Sequence, residues 1–76
     1  MSEAKQYLVV LAGSTSRALR AEKLVHQAGI ANKLIPVPRH IASDCGVCLR
    51  IELADEAKVR QLLKAAGIEV EVHPLN

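Results

Sequence analysis

The chain has 76 residues, a length that predicts one domain over 1–76, near the lower limit for a self-supporting core and with no room for a second. Half of the residues are hydrophobic, yet Tyr7 is the one aromatic side chain, so the core must be built of Leu, Val, Ile and Ala, and the aromatic platforms that single-stranded nucleic acids stack on are missing. The formal charge of +2 is uneven, six Lys/Arg against three Asp/Glu over 1–45 and four against five over 46–76, a balance that suits a small anion better than a DNA backbone.

The first apolar run follows Met1 to Gln6 and is too short for a signal-peptide core or a membrane span. A cytoplasmic protein with no membrane partner is therefore expected. That run, Tyr7 to Ala12, reads as a buried strand. Gly13-Ser14-Thr15-Ser16 breaks it and offers three hydroxyls as helix caps. Ala18, Ala21, Leu24, Val25 and Ala28 then recur at helical spacing, with Gly29 as a stop, which predicts a helix over about 16–28. Lys33 to Val37 is a short extended piece ended by Pro36 and Pro38. After a loop, Val47 to Leu53 alternates, with Val47, Leu49, Ile51 and Leu53 expected to face the core and Cys48, Arg50 and Glu52 to face away. Asp55 is the expected cap of a second helix, with Glu56 in its first turn, Lys64 in its last, and Val59, Leu62, Leu63 and Ala66 as its apolar stripe. Gly67 stops it, and Glu69 to His73 alternates as a final strand.

The order βαββαβ comes with a repeat. Ala28-Gly29-Ile30 and Ala66-Gly67-Ile68 lie 38 residues apart, and a proline follows each glycine by seven residues. Two equal halves predict an α+β, ferredoxin-like fold: a four-stranded antiparallel sheet with strands 1 and 3 inside, strands 2 and 4 at the edges, and two helices on one face. Pro36 and Pro74 then fall on edge strands, where a missing N–H costs least. The other face, half apolar, is a candidate contact for a second copy of the chain.

In that topology the start of the first helix and the loop 37–46 share one end of the sheet. The amides of Ser14, Thr15 and Ser16, at the positive end of the helix dipole, are expected near Cys45, with Arg39 as reinforcement. Cys45 should then titrate below the ordinary thiol value of about 8.5, with Gly46 leaving its sulfur open on one side and Asp44 opposing the thiolate or relaying a proton. Cys48 is either a resolving thiol for Cys45 or filler on the outer sheet face, since strand alternation points it elsewhere. Plainer readings stand beside these: an inert loop cysteine, hydroxyls that only cap, a solvated Arg39. His26, His40 and His73 are scattered, and one Cys-x-x-Cys without a second pair is a weak zinc signal. No metal or other cofactor is expected. Nor is there a phosphate loop or catalytic triad, and a carrier that hands over a covalently held group fits so short a chain better than a turnover enzyme.

Ser14-Thr15, Ala18-Leu19, Ala21-Glu22-Lys23-Leu24, then Lys33-Leu34-Ile35-Pro36-Val37-Pro38-Arg39 and Ile41, then Ser43-Asp44-Cys45-Gly46 and Leu49-Arg50 together resemble a family of small bacterial domains, the selenium/sulfur carrier protein-like family. The resemblance runs over nearly the whole chain and is most specific from Pro36 to Gly46. It implies a carrier of sulfur or selenium as a persulfide or selenosulfide, with the family's cysteine at Cys45, and two kinds of partner: a sulfur- or selenium-donating enzyme and an acceptor protein. Ala42 stands where the family pattern has Ser, and Cys48 where it has an apolar residue. Two other readings remain open, a soft-metal or redox module using Cys45 with Cys48, and a non-catalytic dimeric interaction domain.

Overall fold

The structure, a computed structural model, describes residues 6–41 and 46–75. Strand β1 is Tyr7–Leu11 and helix α1 Thr15–Gln27. Strands β2, Asn32–Pro36, and β3, Val47–Glu52, follow. A 3-10 turn over Leu53–Asp55 leads into helix α2, Glu56–Ala65, and strand β4 is Glu71–Pro74. Ser14 caps α1: its Oγ accepts the Arg17 N–H at 3.2 Å, satisfying one of the amides a helix start leaves without an intrahelical partner.

Both helices end on the same device. Gly29 and Gly67 each have φ +76, a left-handed conformation that glycine takes without steric penalty. At the first, Gly29 N–H reaches His26 O and Ile30 N–H reaches Val25 O; at the second, Gly67 N–H reaches Lys64 O and Ile68 N–H reaches Leu63 O. These paired bonds close the last turn of each helix and turn an isoleucine back onto the core, so the 38-residue sequence repeat is also a structural one.

The sheet order is β2-β3-β1-β4, antiparallel throughout, in agreement with the expected α+β, ferredoxin-like topology. Register is set by pairs such as Val10↔Leu49, Leu34↔Leu49 and Leu11↔Glu71. Pro36 and Pro74 both lie on edge strands, as their missing N–H requires. The pairs formed are β1 with β3, β1 with β4 and β2 with β3, so no strand pairs with the other strand of its own half.

One sheet face carries the helices. Leu8, Val10, Leu49 and Ile51 pack there with Ala18, Ala21 and Val25 of α1 and Val59 and Leu63 of α2, and Leu24, Leu62, Ala66 and Val72 close the margins. The opposite face differs from expectation. Val9, Leu11 and Cys48 point there by alternation, yet they are buried, because the chain leaving β2 folds back over them and sets Ile41 and Val37 on top, with Ile35 and Leu75 alongside. The apolar strip expected to await a second copy is thus covered by the chain itself. Lys33, Arg50 and His73 of this face lie in one cross-strand row with Val9, Lys33 exposed and the other two half-buried, and the Arg50 guanidinium stacks 4.4 Å from the Tyr7 ring centre.

Leu53 departs from its expected core position and is 43% exposed. The ladder ends at the Tyr7↔Glu52 pair, and the chain then turns, so strand parity no longer assigns Leu53 a face. Asp55 holds the cap position of α2, but its carboxylate makes no capping bond; the 3-10 turn supplies a backbone bond there, from Glu56 N–H to Leu53 O. The final strand begins at Glu71 rather than Glu69.

Candidate functional site

Strand β1 runs toward the end of the sheet where α1 begins, and β2, parallel to β1 because both oppose β3, ends there too. The start of α1 and both flanks of the segment containing Cys45 are therefore at one end of the molecule. Ser43, Asp44 and Cys45 lie outside the described residues. On one flank, Ile41 N–H bonds Pro38 O at 3.0 Å, closing a turn that exposes Arg39 and His40 and buries Ile41. On the other, Gly46 O accepts the Val37 N–H at 3.4 Å, one step beyond the Pro36↔Val47 pair. Gly46 is exposed, has no left-handed φ, and a Cβ there would meet nothing within 4 Å. The backbone has no need of glycine at this position.

The three hydroxyls at the start of α1 divide. Ser14 is committed to the cap through its oxygen. Thr15 and Ser16 are exposed in the first turn, where backbone N–H groups and the helix dipole favour an anion. Sequence reading passed over Arg17. Its guanidinium folds back over the β1–α1 turn, with one nitrogen 3.6 Å from where a Cβ on Gly13 would stand. The available signal was negative: the first turn of α1 contains no acidic residue, where one would be favoured.

Cys48 is fully buried at 0% exposure, in the central strand β3, with its Sγ 4.0 Å from Pro36 O. Expected either as filler on the outer sheet face or as a resolving thiol, Cys48 lies on the face away from the helices, within the second core; a buried thiol behaves as a small hydrophobe. The Val47–Glu52 strand that holds it is hydrogen-bonded on both sides. Among the described residues no group of three or more His, Cys, Asp or Glu gathers as a metal site, and no helix is long and apolar enough to cross a membrane. A groove of about 510 Å³ lined by Ala28 to Ala31, Asp55, Lys58 and Leu62 opens at the far end, where α1 stops and α2 starts, and contains no thiol.

No curated protein and no solved structure matches the chain. A family model described as "Putative Se/S carrier protein-like" matches residues 7–73. That match begins with the first residue of β1, ends within β4 and spans both helices and the segment between Pro36 and Gly46: the chain belongs to the Se/S carrier protein-like family.

Proposed function

We propose that this protein carries sulfur or selenium on Cys45, as a persulfide or selenosulfide, and delivers it to an acceptor protein in the cytosol. The observation that supports this reading most is the burial of Cys48. A carrier sulfur must be attacked from solvent first by a donor and then by an acceptor, and of the two cysteines in the chain Cys48 is closed to both. Family membership supplies the cargo class. The shared end of the sheet supplies an environment suited to an anion: first-turn amides at Thr15 and Ser16, the Arg39 turn, and an unhindered Gly46.

In the loading step the Cys45 thiolate attacks the outer sulfur of a persulfide on the donor enzyme. A new S–S bond forms on Cys45, the donor's S–S bond breaks, and the donor cysteine leaves as a thiolate. Delivery is the same exchange with the roles reversed, so no external oxidant or reductant is consumed. A module using both thiols, for a soft metal or a disulfide, is the weaker reading because the second sulfur has no access from solvent.

The experiment is intact-mass analysis after incubation with a cysteine desulfurase and cysteine, or a selenocysteine lyase and selenocysteine. Addition of one sulfur or selenium atom is expected in the wild type and in Cys48→Ala, and none in Cys45→Ala. An unchanged mass with every donor, or loading that survives in Cys45→Ala, would overturn the reading.

A further inference from the structure

We propose that the end of the molecule where β1 passes into α1 is a docking face for an acidic surface on a partner protein. The inference deepens the carrier reading, since that partner is the donor or the acceptor. Three exposed cations from three separate elements lie at this end: Arg17 in the first turn of α1, Arg39 in the turn after β2, and Lys64 in the last turn of α2. The topology requires it, because α2 must return to this end to start β4, whose Glu71 pairs with Leu11.

None of the three forms an ion pair among the described residues, whereas Arg60, one turn down α2, is held by Glu56 at 2.8 Å. Glu52, Asp55 and Glu56 lie toward the other end, about the junction of β3 with α2. Among the described residues two acids share the cationic end, Glu69 and Glu71, and Glu71 is engaged by His73 at 3.2 Å. Lys64 alone is explained by the dipole of its own helix. Arg17 is not: a cation in a helix's first turn is disfavoured by about 0.3–1 kcal/mol, and its exposed side chain bends over the β1–α1 turn. A local rule broken without local compensation among the described residues is the mark of a functional position, and a partner's carboxylates at this end would supply the missing counter-charge. Three cations at one end form a patch rather than the stripe that follows a phosphate backbone, which favours a protein partner over a nucleic acid.

The test is an NMR titration of the 15N-labelled full chain at low salt with poly-L-glutamate, set against oligouridylate at equal charge. Amide shifts at Arg17, Arg39 and Lys64 are expected to exceed those at Lys33, Arg50 and Lys58, with poly-L-glutamate bound the more tightly. The Arg17→Glu/Lys64→Glu double variant should weaken binding by about tenfold while leaving the thermal unfolding midpoint in place. Shifts that are absent, that spread evenly over all exposed cations, or that respond more strongly to the oligonucleotide overturn the proposal. Loading of Cys45 by inorganic polysulfide needs no partner, so its failure beside intact polyglutamate binding would strike the carrier reading and leave the docking face standing.

Discussion

In a Cys45→Ala background, Cys48 should react with iodoacetamide far more slowly than a free thiol, and loosening the chain that covers it should restore much of the rate. Two routes lead to its sulfur. Global unfolding of a 76-residue domain costs roughly 4–11 kcal/mol at about 0.05–0.15 kcal/mol per residue. Lifting residues 37–41 alone uncovers Ile41, for about 1.5–3 kcal/mol of apolar burial, and breaks the Ile41 N–H to Pro38 O and Val37 N–H to Gly46 O bonds, at about 1 kcal/mol each. The local route therefore costs roughly 3–5 kcal/mol and should dominate. At about 1.4 kcal/mol per decade, Cys48 is protected some hundred- to several-thousand-fold. Ile41→Ala removes about 2 kcal/mol of that cover and should accelerate labelling by about thirtyfold. The assay is a timed alkylation read by intact mass, with unfolded protein in denaturant as the unprotected standard. Protection below about tenfold, or an Ile41→Ala variant that labels no faster than its parent, would show that these residues do not shield the thiol.

Leu63→Ala, at a fully buried site under the sheet, should cost about 2–5 kcal/mol in urea unfolding. Gly67→Ala should cost about 1–2 kcal/mol from backbone strain alone, since its φ is +76 and a Cβ there meets nothing. Gly46→Ala should change stability by less than about 0.5 kcal/mol yet slow persulfide loading of Cys45; unchanged loading would deny Gly46 its part in access to the sulfur. Ser14→Ala should cost about 1 kcal/mol by removing the cap on Arg17 N–H, measured from the thermal midpoint.

Much of this fold was legible because the chain punctuates it plainly. Ser14 and Gly29 bracket α1, Gly67 stops α2, and the prolines name the edge strands, each by a local rule of dihedral or hydrogen bonding. Alternation also put Cys48 on the face away from the helices. What it could not give is what lies above that face, because the cover is a loop whose Ile41 and Val37 obey no period. Leu53 failed for a related reason: periodicity carries no signal for where a ladder stops. Topology alone placed the start of α1 and the described residues on either side of the 42–45 segment, Ile41 and Gly46, at one end of the sheet. Arg17 escaped notice because its meaning lies in a missing acid rather than a motif.

The way the strands pair has a consequence for how the chain can break. Every ladder joins residues before the Pro36–Gly46 segment to residues after it, so neither half owns a piece of sheet that could survive alone. A protease cut in that connecting segment would leave two fragments of about equal length, each with one helix and two strands that have no mutual ladder. They should be unstructured apart and regain order on mixing, and in uncut protein at high concentration the same interlock allows two chains to exchange halves.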